Sequence, residues 1–339
     1  MSDKYYSSED VLKRIEAQVR RYNRKLKTMK IAVLAGGPGD EADVSLDSGK
    51  CVYEALKGDG QNVELVSVEK DITAILRKKW DRFNVVFNVM HGRYGEDGSV
   101  QGMFDLMGIP VVGSKVLGSA VCFDKSFSKL MFALLAIPTP KWLYIPYLEG
   151  VRPDVVIENW SGPAVVKPLK SGSSVGVQFY RDTPDLLREI QSLVKKHRGV
   201  VIEEPVHGRE LTCAVIDSFN PIALPVVEII PKSSSFFDYR SKYTKGVTEY
   251  EAPARITGGQ FEKIAEYSLR FFRAAKLTSY VRFDLILDGE GKPKFLECNT
   301  LPGFTATSLV PMAARAFGLS YLDLVKFLIQ DTLKIANFL

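Results

Sequence analysis

At 339 residues the chain is too long for a single core, so two or three domains are expected. It is 46% apolar and 25% charged, as soluble globular proteins are, and its net charge of +5 suits an anionic substrate but is too weak to point to nucleic acid. No apolar run approaches the ~20 residues of a membrane helix and no signal-peptide core opens the chain, so the cytoplasm is the expected compartment. Three histidines exclude a histidine-rich metal site, and the four dispersed cysteines have no zinc or disulfide spacing.

Residues 1–29 read as a helical extension. Val11, Leu12, Ile15, Val19, Tyr22 and Leu26 fall at helical spacing, behind a capping box of Ser7 and Asp10. Its basic end, Arg20 to Lys27, leaves two readings: a helix packed on its own protein or a subunit partner, or a surface for membrane or nucleic acid. Residues 30–123 alternate strand and helix, with strands at Ile31–Ala35, Val63–Val68 and Val85–Met90. That order implies a parallel sheet covered by helices. The helix Val44–Leu56 would be capped by Asp43 or Ser45. Residues 124–203 form a second unit with a helix from Lys125, strands at Ala164–Lys167 and Val175–Tyr180, and a last strand at Val200–Glu203. Residues 204–339 form a third, built on strands with long helices at 260–275 and 321–338.

The densest chemistry lies in the third unit. Residues 281–288 and 293–299 alternate apolar and polar around Gly289-Glu290-Gly291-Lys292, the pattern of a hairpin. With Asp288 paired to Pro293, Asp284 faces Glu297 and Arg282 faces Asn299, all on one face. Two facing carboxylates and an amide are oxygen donors for a hard cation such as Mg²⁺; the alternative is an ordinary charged hairpin.

Other tracts are weaker alone. Leu169–Ser174 is small and rich in donors, so it either cradles phosphates beside Lys167 or is a plain turn. It lacks the order of a Walker A loop. Glu203 and Glu204 end a strand at a domain boundary, where a nucleobase can sit or charges can simply be solvated. His91–Gly102 has four glycines between a strand and a helix, a tight loop that places His91 at a strand end. Phe236–Gly246, polar and aromatic, reads as a lid.

Together these tracts resemble the D-alanine–D-alanine ligase family of the ATP-grasp fold. HGRYGEDGSVQG (from His91) matches the family's first signature, and RFDLILDGEGKPKFLECNTLPG (from Arg282) its second. KPLKSGSSVGV, FFDYRSKYTKG and TATSLVPMAARAFGLSYLDLV follow in family order, so the match runs from about Lys30 to the C-terminus. The resemblance implies an α/β protein of three-domain ATP-grasp architecture: a Rossmann-like parallel α/β first domain, ATP held between the second and third, and the N-terminal helix as an addition. It implies that Lys125, Lys167, Ser173 and Ser174 hold the ATP phosphates. Glu203, Glu204, Val206, Glu210 and Lys242 complete the nucleotide site. Asp284, Glu297 and Asn299 would bind two Mg²⁺, with Mn²⁺ able to substitute. Glu41 would meet the ammonium of the first D-alanine, with His91 nearby. Lys242 and Ser308 would hold the carboxylate of the second. Arg282 and the Gly303 N–H would form an oxyanion site, and Tyr243 would join Ser173 and Glu41 in a hydrogen-bond network. The implied reaction joins two D-alanines through a D-alanyl phosphate, with ADP and phosphate as products, for peptidoglycan precursors. The implied enzyme is a cytoplasmic homodimer with no nucleic-acid or membrane partner.

Some residues depart from the family pattern. Its Glu-Arg-Glu-Val-Ser reads Glu41-Ala42-Asp43-Val44-Ser45, which keeps the glutamate but loses the arginine. Glu204 stands where many members carry lysine, and Phe304 where methionine is common. Rival readings keep the mechanism but take D-lactate or D-serine second, or make a secondary-metabolism dipeptide. A non-catalytic nucleotide-binding regulator is a further rival, opposed by the intact Arg282, Asp284, Glu297 and Asn299.

Overall fold

The protein is described here as a computed structural model covering residues 8–39, 41–158, 160–170, 176–217, 220–231 and 248–338. Helix α1 (Ser8–Lys27) opens it. The first unit is β1 (Lys30–Gly36), α2 (Ala42–Gly58), β2 (Asn62–Val68), α3 (Ala74–Arg77), β3 (Val85–Asn88), α4 (Ser99–Leu106), β4 (Val111–Val112) and α5 (Val116–Phe123). Its sheet, ordered β2-β1-β3-β4, is parallel throughout. Strand β1 is buried from Ile31 to Gly36, as the continuous apolar run requires of a strand covered on both faces.

The central unit comprises α6 (Lys125–Leu134), β5 (Trp142–Pro146), α7 (Pro153–Val156), β6 (Ala164–Pro168), β7 (Gln178–Tyr180), α8 (Thr183–His197) and β8 (Gly199–Glu203). Its antiparallel sheet runs β5-β8-β6-β7. The last unit is β9 (Gly208–Ile216), β10 (Ile222–Ala223), β11 (Val227–Pro231), β12 (Thr248–Glu251), α9 (Gly258–Ala274), β13 (Tyr280–Asp288), β14 (Pro293–Asn299), α10 (Leu309–Phe317) and α11 (Tyr321–Ile335). Its sheet runs β12-β11-β9-β13-β14, with β10 pairing off β9. No described helix is long and apolar enough to cross a membrane.

Two local expectations are corrected. Neither Asp43 nor Ser45 caps α2: Glu41 holds the cap position and makes no side-chain cap bond. The Ser45 hydroxyl is drawn inside, where it accepts from the Gly36 N–H (2.8 Å) and donates to the Val89 carbonyl (2.7 Å). It thereby ties α2 to the ends of β1 and β3. The hairpin register also differs near its turn. Leu287, not Asp288, pairs with Pro293, and the Asp288 N–H donates to the Lys292 carbonyl (3.0 Å). Gly289–Gly291 is thus a three-residue loop, with Gly291 at φ 74° supplying the left-handed turn. A bulge at Leu296 restores the expected register, so Asp284 lies opposite Glu297 and Arg282 opposite Asn299.

Helix α1 packs on its own protein. Ile15, Val19 and Leu26 are buried in one cluster with Val33, Phe87 and α11 residues Leu324, Leu328 and Leu333. Gln330 donates to the Val19 carbonyl (3.3 Å) and Lys334 to Gln18 (3.1 Å). Ser7, of the expected capping pair, lies outside the described residues.

Asp331, on α11, is buried; burial, reinforced by Asp217 and opposed by Lys334, pushes its carboxyl up from 3.8 to about 7. The folded state therefore holds this proton more tightly than the unfolded chain, and stability falls as pH rises between those two values. Asp331→Asn is expected to raise Tm at about pH 8, with the gain shrinking toward about pH 5. Equal Tm values for variant and wild type at both pH values would refute this.

Candidate active site

Strand β13 is the centre of the site. Across it Arg282 lies opposite Ala214, Asp284 opposite Thr212, and Ile286 opposite Glu210 of β9. Directly opposed residues share a face, so Glu210, Thr212, Arg282, Asp284, Glu297 and Asn299 all point the same way. Arg282 grips Asp284 with two bonds, Nε to Oδ1 at 2.6 Å and a terminal nitrogen to Oδ2 at 2.8 Å. Asn299 Nδ2 donates to the same Oδ2 at 3.1 Å. Tyr250, on β12, lies on this face as well. Burial raises its pKa, with Glu210 pushing the same way and Arg282 opposing.

The central unit closes over this face with lysines. Asp124 caps α6 by accepting from the Ser126 N–H (3.0 Å), which fixes Lys125 at the helix start. Lys125 Nζ then reaches Glu297 Oε2 at 3.4 Å. One turn on, Lys129 Nζ lies 3.1 Å from Glu203 Oε1, and Lys167 Nζ donates to Glu203 Oε2 at 2.9 Å. Burial would raise the Glu203 carboxyl, but the ammonium groups of Lys129 and Lys167 outweigh it and hold the pKa below its ordinary value. Burial lowers Lys167, yet Glu203, Glu297 and Glu210 leave it raised overall. That balance ties carboxylates of the central strand β8 and of β9 and β14 to one ammonium.

The remaining expected residues occupy two places. Glu210 is half-buried on the carboxylate face, and Val206 half-buried in the β8–β9 connection. The Glu204 carboxylate accepts from the Lys141 N–H at 2.9 Å. On the other side of the hairpin, His91 is buried at the end of β3, its Nδ1 3.6 Å from Glu96. Burial opposes its charged form, but Glu96, Glu41 and the Leu301 carbonyl raise its pKa overall. The first-signature loop, the start of α2 and the Leu301–Gly303 segment therefore meet at His91. Phe304 pins that segment: its N–H donates to Ser48 (3.0 Å) and its ring packs against Phe87, Tyr280 and Tyr321. The departure from methionine thus fills an aromatic pocket. The Ser308 hydroxyl accepts from the Thr305 N–H at 2.9 Å instead of capping α10. Ser173, Ser174, Lys242 and Tyr243, with the rest of the 236–246 segment expected as a lid, lie outside the described residues.

Sequence reasoning missed Lys129 and Thr139. Lys129 Nζ donates to Thr139 Oγ1 (2.6 Å), which donates to the Phe295 carbonyl (2.8 Å). The signal was present, since Lys129 is four residues from Lys125 and so on the same helix face.

Comparison with known proteins agrees at both ends of the chain. The family described as D-ala D-ala ligase C-terminus matches residues 133–330, and D-ala D-ala ligase N-terminus matches 73–114. A D-alanine--D-alanine ligase of Aquifex aeolicus is 40% identical over 89% of this chain and 100% of its own length. The crystal structure of D-alanine--D-alanine ligase from Bacillus anthracis complexed with ATP superposes with a TM-score of 0.76 at 30% identity, covering 91% of this chain and 99% of its own. The VanG D-Ala:D-Ser ligase of Enterococcus faecalis gives 0.75 at 30% identity, over 89% and 98%. With its ATP-grasp sheets, its paired signatures and relatives matched nearly end to end, the chain belongs to the D-alanine–D-alanine ligase family.

Proposed function

We propose that this protein joins two molecules of D-alanine at the expense of ATP, through a D-alanyl phosphate, releasing ADP and phosphate for peptidoglycan precursor synthesis. The observation that carries the reading is the convergence of Lys125 and Lys167 on the carboxylates of Glu297, Glu203 and Glu210. A carboxylate resists attack by an amine until it is phosphorylated. Phosphoryl transfer mainly needs positioning and charge neutralisation, which Lys125 and Lys167 supply at the nucleotide phosphates. Glu203 is buried and the ammonium groups of Lys129 (3.1 Å from Oε1) and Lys167 hold it ionised, which supports it as acceptor for the adenine amine. Glu204, Val206 and Glu210 follow Glu203 on the connection into β9 and would frame base and ribose.

On the substrate side Glu41 and His91 would receive the first D-alanine, and Ser308 with Lys242 the carboxylate of the second. Arg282 and the Gly303 N–H would meet the oxyanion as the second amine attacks. Ser173, Ser174 and Tyr243 would close the site beneath the 236–246 lid, keeping water from the acyl phosphate. Asp284, Glu297 and Asn299 offer oxygens on one face, the donor set that suits a hard cation. Bound there, two Mg²⁺ would neutralise the transferring phosphoryl group.

The same reading takes 30–123 as the first-substrate domain, 124–203 and 204–339 as the ATP-grasp pair, and the enzyme as a cytoplasmic homodimer. Exposed Leu106, Leu117, Phe127, Leu130 and Leu134 on α4, α5 and α6 support a subunit contact. Phosphate release should require D-alanine and Mg²⁺ together, and D-alanine should outperform D-serine, D-lactate and L-amino acids as second substrate. Formation of AMP and pyrophosphate would sink the acyl-phosphate route. A preference for D-serine would instead favour the activity named for the Enterococcus relative.

A further inference from the structure

Glu203 is useful to a nucleobase only while it is ionised and held still. Its two counter-charges are unequal. Lys167, on β6, is the lysine that the phosphates would recruit. Lys129 cannot leave: its side chain is 1% exposed and its Nζ donates to Thr139 at 2.6 Å. Thr139 in turn donates to the carbonyl of Phe295, two residues before Glu297. The two ammonium groups divide the carboxylate between them: Lys129 faces Oε1 at 3.1 Å and Lys167 faces Oε2 at 2.9 Å.

We infer that Lys129 is a positioning residue that keeps Glu203 an acceptor-only carboxylate, and so selects a 6-amino over a 6-oxo purine nucleotide; this rests on the assignment of Glu203 to the nucleobase. An ionised carboxylate can only accept, so it suits an exocyclic amine and repels a 6-oxo oxygen. Without Lys129 the buried carboxylate has one counter-charge fewer, and in a nucleotide complex that engages Lys167 it takes up a proton. A protonated Glu203 can donate, and the 6-oxo base is no longer rejected. The cation itself depends on its partner. Burial pushes Lys129 down to about 8, against the pull of Glu203, so losing either group weakens the other.

The test compares kcat and KM for ATP and inosine triphosphate in the full chain, with D-alanine and Mg²⁺ saturating. Lys129→Met is expected to raise KM for ATP about tenfold with a smaller change in kcat, and to lower the ATP-to-inosine-triphosphate ratio of kcat/KM about tenfold. Lys129→Arg should restore most of that ratio. Thr139→Val, which keeps the ammonium but frees it, should lower the ratio about threefold. Wild-type ratios in both folded Lys129→Met and Thr139→Val overturn the inference. If Lys129→Met does not fold, an unchanged ratio in Thr139→Val does so alone. Glu203→Gln separates the two layers. An unchanged ratio there sinks the assignment of Glu203 to the base, whereas a collapsed ratio there beside unchanged Lys129→Met sinks only the role of Lys129.

Discussion

Arg282→Ala is expected to lower kcat by about 10²–10³-fold, the usual cost of removing one donor to a developing oxyanion. Two losses combine. In the proposed mechanism the guanidinium no longer meets the tetrahedral oxygen, and Asp284 loses both of its 2.6 and 2.8 Å bonds, keeping Asn299 among the described residues. Asp284 is largely buried, so a destabilisation of about 1–3 kcal/mol should accompany the loss. Arg282→Lys should rescue poorly, because one ammonium cannot reproduce a planar two-bonded fork. Saturating steady-state rates and thermal melts measure both effects. A folded Arg282→Ala enzyme with kcat within about threefold of wild type would remove Arg282 from the oxyanion site.

Glu297→Ala is expected to cost more activity and no stability. It removes one of the cation's two proposed carboxylates and the partner that Lys125 reaches at 3.4 Å, so phosphate release should fall by about 10³-fold or more. The folded state, by contrast, loses little. Glu297 is about one-quarter exposed and faces Asp284, so the like-charge contact relieved by its removal offsets the loss of the 3.4 Å pair with Lys125. Tm without ligands should therefore hold or rise. Mg²⁺-ATP is expected to raise the Tm of the wild type, and that rise should shrink or vanish in the variant. Near-normal turnover, or an undiminished Mg²⁺-ATP shift, would take Glu297 out of the cation site.

The two predictions draw on different levels of information. That Asp284, Glu297, Arg282 and Asn299 share a face was readable along the chain, because strand side chains alternate whatever surrounds them. The path to that register was not. The turn closes one residue earlier than its composition suggests, and the compensating bulge sits beside Phe295. There the N–H donates to the Pro138 carbonyl at 2.8 Å and the carbonyl accepts from Thr139. A partner 156 residues away has no signature in the hairpin itself. The α2 cap failed for a similar reason: Ser45 is a good local cap, but two buried main-chain groups on β1 and β3 claim its hydroxyl.

By itself, the sequence determined the parallel first sheet, the shared face of the hairpin residues and the family, since these rest on periodicity and on contiguous signatures. Tertiary structure alone decided which cations neutralise which carboxylates. Lys129, Lys167 and Glu203 come from a helix and two strands that meet only when the central sheet folds against its helix. The resulting charge balance depends on burial and on distances of about 3 Å, which no local pattern encodes.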